Sequence, residues 1–185
     1  IIEEYADICD GDYEKAMDIL TELIRPVSLE ILSKLLLEIK VLGVSFQTLI
    51  TKDINDLPYL LETMLYAVFG SWAPKVYKKP ILIHASDSPL NVDTIVLKLD
   101  NCPFCCNTMI PPEKFGSHRY GKLMCLTIEQ VIQLIQDYSG NDCKVVGREI
   151  ECYLAGASKA ELRFWLYPKD KLELMEKNEY LKKIK

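Results

Sequence analysis

Two cysteines separated by two residues, in Cys102-Pro103-Phe104-Cys105, supply half of a tetrahedral thiolate site for zinc from one turn of chain. The other half has to come from elsewhere, and the candidates are Cys106, Cys125, Cys143 and Cys152, with His118 and Glu149 as nitrogen and oxygen donors. Cys125 stands just before a helical segment and Cys152 within a strand-like one, positions rigid enough to hold a ligand. Cys106 should point away from its neighbour Cys105, and Cys143 falls in a turn; with Cys9, these read as small buried hydrophobes. The expected metal ligands are therefore Cys102, Cys105, Cys125 and Cys152, and the expected cofactor is zinc. The same four thiolates would also suit an iron–sulfur cluster. A dithiol redox centre competes with both, but no helix begins at Cys102 and no βαβ unit surrounds it. Four protein ligands leave no open position for an activated water, so a zinc here would be structural.

Composition narrows the setting of these residues. Seven cysteines, an odd number, and a Cys-x-x-Cys run fit metal binding in a reducing compartment better than a secreted disulfide framework, and the cytoplasm is the expected location. Lys and Arg number 22 against 27 Asp and Glu, so the chain lacks the cationic field of a phosphate-backbone binder, and nucleic acid is not an expected partner. The apolar stretches Ile31 to Val44 and Leu57 to Phe69 are broken by Lys34, Glu38, Lys40 and Glu62, so no integral membrane segment is expected.

The elements that must position the cysteines follow from periodicity. Asp10 or Asp12 caps a first helix bearing Ala16, Met17, Leu20 and Leu23, which Arg25-Pro26 interrupts. A second helix runs from Ser28 to Gly43 with apolar residues around more than half its circumference, and a third from Asp56 to Phe69 is stopped by Gly70. Ile81 to Ala85 and Thr94 to Leu99 read as strands. Asn101 to Lys122 reads as an irregular loop, Thr127 to Tyr138 as an amphipathic helix, and Lys144 to Tyr153 with Ala160 to Tyr167 as a closing hairpin. Helices followed by strands predict an α+β fold with an antiparallel sheet, a single domain over residues 1–167 and a charged helical extension over 168–185.

The hairpin carries a resemblance. Val145-Val146-Gly147-Arg148-Glu149-Ile150-Glu151-Cys152, with Glu161-Leu162-Arg163-Phe164-Trp165, resembles the closing hairpin of 4-vinyl reductase-type domains, and Cys125 with its following helix is similar to the family's earlier ligand and helix. The resemblance implies a fold like that of subunits of the TRAPP vesicle-tethering complex, with a small hydrophobic molecule bound between helical and sheet layers. It places Cys125, Glu149 and Cys152 on zinc-ligand positions. The family's last cysteine is replaced near Ala160, so either Cys102 or Cys105 completes the set or the metal has been lost. Tyr66, Phe69, Trp72 and Tyr77 would line the pocket and His84 would hydrogen-bond its occupant; the plainer reading makes all five ordinary core or surface residues.

Three functions follow as expectations. The first is a metal-stabilised, sensory binding module for a small hydrocarbon or aromatic ligand, without catalysis. The second is a reductase or accessory factor acting on a tetrapyrrole-like vinyl substrate; with no Gly-x-Gly-x-x-Gly fingerprint, its hydride donor would have to come from elsewhere. The third is a tethering or interaction subunit that pairs as a homodimer.

Overall fold

The computed structural model describes residues 2–100, 112–115, 121–153 and 156–182. A short helix α1 (Ile2–Ile8) leads into α2 (Tyr13–Glu38), whose N-cap Asp12 accepts a hydrogen bond from the Lys15 backbone at 2.9 Å. The break expected at Arg25-Pro26 is absent, and Pro26 lies inside one continuous helix. Proline removes a backbone donor and crowds the preceding turn, a cost of about 3 kcal/mol in an isolated helix. Here tertiary bonds brace the turn: Gln130 Nε2 donates to the Arg25 carbonyl at 2.7 Å, and Ser28 Oγ bonds to the same glutamine. The helix also ends before Gly43. Leu42 and Gly43 both take positive φ, 52° and 82°, and turn the chain through a minimal hairpin of β1 (Lys40–Val41) and β2 (Val44–Ser45).

Short α3 (Phe46–Leu49) precedes α4 (Leu57–Phe69), which ends at Gly70 with φ 56°, as its sequence demands. Then come α5 (Ala73–Val76), β3 (Ile81–Ile83), β4 (Asp93–Leu99), α6 (Lys122–Ser139), β5 (Cys143–Glu151) and β6 (Ala160–Pro168), followed by the single turns α7 (Leu174–Lys177) and α8 (Glu179–Lys182). The four strands form an antiparallel sheet in the order β3-β4-β6-β5, covered by helices. The fold is α+β, as the element order predicts.

Alternation along the strands divides the sheet into two faces. Ile95, Leu97, Leu99, Val145, Leu162, Phe164 and Leu166 meet the helical layer of α2, α4 and α6. Val92, Val146, Trp165 and Tyr167 face the other way, and Leu174, Met175 and Leu181 of the C-terminal segment pack on them. The charged extension is thus laid across the back of the sheet. No described helix is long and apolar enough to cross a membrane.

Candidate functional site

Cys125 lies within the first turn of α6, which starts five residues earlier than the apolar period from Thr127 suggests. The early start has a distant cause. The first backbone N–H beside the helix, that of Gly121, donates at 3.0 Å to the buried Glu149 carboxylate on β5, so the cap comes from across the fold. A Cβ on Gly121 would stand 2.8 Å from that carboxylate, so any larger residue there would have to push the end of the Glu149 side chain aside.

Two residues before Glu149, on the same face of β5, Gly147 leaves room for the Phe164 ring and the Cys125 sulfur. Sequence reading passed over Gly147 as a structural residue; a glycine inside an otherwise apolar strand is the signal that marks close packing. The outer edge of β5 is covered by α6 side chains. Gln133 accepts from the Val145 N–H at 2.8 Å and donates to the Cys143 carbonyl at 3.1 Å, and Glu129 accepts from the Gly147 N–H at 2.6 Å. These contacts occupy backbone groups that an edge strand would otherwise offer to another chain.

Cys125 and Cys152 are both buried in the core beneath the helices, and Cys152 lies just past the end of β5 instead of within it. Burial, with Glu129 and then Glu149 nearby, pushes the Cys125 thiol well above its usual range against the opposing pull of Arg148, so it stays protonated at neutral pH. Cys143 is pushed up to about 11, chiefly by burial. Among the described residues no three His, Cys, Asp or Glu side chains stand together as a metal site. Cys102 and Cys105 lie outside the described residues, as do Cys106 and His118. Of the expected metal ligands, Cys125, Cys152 and Glu149 fall among the described residues, and one Glu149 oxygen accepts from the Gly121 N–H.

Burial is also the largest influence on Glu129, raising its carboxyl above the ordinary glutamate range despite the Gly147 N–H and the Arg25 guanidinium at 3.5 Å. A raised folded-state value means that the folded chain binds the proton more readily than the unfolded one. Stability then rises as pH falls from the raised value toward the unfolded one, and this contribution is lost as pH climbs back. Glu129→Gln, whose amide oxygen can still accept from Gly147, is expected to flatten the melting temperature against pH above the ordinary glutamate range. At pH 7 the variant should melt no lower than wild type, and an unchanged profile would remove Glu129 as its source.

The expected ligand-binding residues separate. Phe69 and Tyr77 meet at a centroid distance of 5.2 Å and line an apolar slot of about 100 Å³ between α2, α4 and α6. Leu32, Leu61, Met64, Met124 and Val131 complete much of its wall, and the Tyr77 hydroxyl donates to the Met124 sulfur at 3.4 Å. Tyr66 instead lines, with Tyr77, Lys78 and Pro80, a separate cleft of about 230 Å³. Trp72 is 66% exposed, with the Lys75 ammonium 4.9 Å from its ring. His84 follows β3 at the surface, 3.8 Å from the Asp93 carboxylate, and is no part of the slot.

No family model and no curated protein matches the chain. Among solved structures it is similar to a trafficking protein particle complex subunit 3 from Naegleria fowleri, covalently bound to palmitic acid. The TM-score is 0.36 and the identity 14%, over 82% of this chain and 99% of that one. Likeness of that size establishes no function. The resemblance to 4-vinyl reductase-type domains read from the hairpin gains no support from these comparisons.

Proposed function

We propose that this chain is a non-catalytic interaction subunit that pairs with a second copy of itself through the outward face of α2. The observation that carries the reading is a ridge of Leu23, Val27 and Ile31, one helical turn apart and 52%, 56% and 59% exposed. Leu29 and Leu37 are exposed on the same helix, and Leu42 stands fully exposed at the tip of the hairpin that follows. A helix that packs on a core by one face ordinarily turns polar residues outward, and clustered apolar exposure marks association surfaces. Two-fold self-pairing is the commonest way to bury such a ridge, since i, i+4 ridges of two identical helices interdigitate.

Sedimentation over about 1–100 µM should show a concentration-dependent dimer for the wild type. Val27→Glu combined with Ile31→Glu should be monomeric, with unchanged helical content and a melting temperature that no longer rises with protein concentration. A wild type that stays monomeric throughout overturns the reading.

The apolar slot supports a second role, the holding of a hydrophobic group. No charged residue among the described ones lines it, and Met64 and Met124 give two of its walls adaptable side chains. At about 100 Å³ it falls below the roughly 300–1,000 Å³ of pockets that enclose whole ligands. It suits an alkyl segment or a single ring, and is smaller than a tetrapyrrole macrocycle needs.

A further inference from the structure

A third cavity, of about 420 Å³, opens on the back of the sheet, away from α6. Its floor is Arg163 and Trp165 of β6 with Thr94 of β4, one wall is the loop after β3, and residues 177–180 of the C-terminal segment close the other side. The geometry points to a binding site here for a small organic monocarboxylate with an apolar or aromatic body.

Arg163 carries the argument. Its Nε donates to the buried Glu161 carboxylate at 2.6 Å, and its guanidinium lies 5.7 Å from the centre of the Tyr180 ring. Tyr180 in turn stacks on Trp165 at 5.9 Å. The side chain is therefore held in place, with Glu161 taking one edge of the fork. Its two terminal amino groups have no protein acceptor among the described residues. A guanidinium fixed along one edge is prepared to donate a pair of parallel hydrogen bonds to a second carboxylate with little further loss of freedom.

The rest of the cavity specifies the body of the ligand. Ile83, Pro89 and Leu90 face the Trp165 indole, so a group carried by the carboxylate would meet apolar and aromatic surface. The cavity lies within the size range of small-molecule sites, which usually combine such walls with few polar anchors. Asp87, Lys177 and Glu179 stand at its exposed rim, where water screens them. Two of these three are acidic, which favours a monoanion over a phosphate dianion. The closing segment is itself anchored, because buried Asn178 donates to the Tyr167 hydroxyl at 2.8 Å and accepts from the Tyr180 N–H at 3.0 Å.

The chain has two tryptophans, so Trp72→Phe leaves Trp165 as the sole indole reporter. In that background 3-phenylpropionate should change the emission saturably, with a dissociation constant below about 1 mM, and the neutral 3-phenylpropanol should bind at least tenfold more weakly. Arg163→Gln should weaken 3-phenylpropionate by about tenfold or more. Leu90→Phe, which narrows the apolar wall and leaves the ion pair intact, should weaken both compounds. If Arg163→Gln does not fold, the alcohol comparison and Leu90→Phe decide. Absence of a saturable change, equal affinity for acid and alcohol, or indifference to Leu90→Phe overturns the proposal.

Discussion

Gly147→Ala should destabilise the protein by about 3 kcal/mol, although general strand propensity predicts the opposite sign. In an ordinary strand, alanine in place of glycine gains about 0.5–1 kcal/mol, because glycine loses more backbone freedom on folding. At this position the new Cβ would lie 2.6 Å from Cδ1 and 2.7 Å from Cε1 of Phe164, and 3.1 Å from the Cys125 sulfur. Phe164 is fully buried and has nowhere to retreat, so α6 or the ring must shift. Urea denaturation gives the value directly. The cause is tested by repeating the substitution in a Phe164→Leu background, where the penalty should shrink as the ring is removed. A stabilised Gly147→Ala would mean that the Phe164 ring does not lie against Gly147 as closely as described.

Asn178→Ala should release the C-terminal segment from the sheet at a cost of about 2 kcal/mol. Asn178 is fully buried, and its amide joins the Tyr167 hydroxyl to the backbone of Tyr180. Removing it leaves the Tyr167 hydroxyl, whose ionisation burial already disfavours, without that donor inside an apolar cluster. Residues 169–182 should then become sensitive to limited trypsin digestion while the bulk of the fold persists, since the segment holds Lys169, Lys171 and Lys177. A cleavage rate equal to wild type would show that the packing of Leu174, Met175 and Leu181 holds the segment without the amide.

The sequence revealed those elements whose signals are local. Helix α4 carries its own proline near the start and glycine at the end, and the final hairpin its two apolar runs, so both were legible. Pro26 signals a break that does not occur, because the groups that brace its turn belong to Gln130, more than a hundred residues away. The start of α6 is hidden from its own sequence for the same reason, since Glu149 caps it from β5. Candidate site residues were harder still. Phe69 and Tyr77 share the slot while Tyr66 and Trp72 do not, because the register between α4 and the turn after Gly70 decides which ring faces inward. Nothing in the spacing of cysteines could show that Cys125 would lie in the core, where burial, with two carboxylates nearby, keeps its thiol protonated.

The pairing of the two central strands also sets the order in which the chain can assemble. Asp93 meets Leu166 and Leu99 meets Ala160, so β4 and β6 join across roughly sixty to seventy residues of chain. By contrast β5 and β6 close a local hairpin, and α6 immediately precedes it. Loop-closure entropy opposes the first pairing far more than the second. The unit formed by α6, β5 and β6 should therefore gather first and form the folding nucleus, with Gly147 already pressed against Phe164, and β4 should dock only after the rate-limiting step. Gly147→Ala would then slow refolding, whereas a truncating substitution at Ile95 on β4 would act mainly by hastening unfolding.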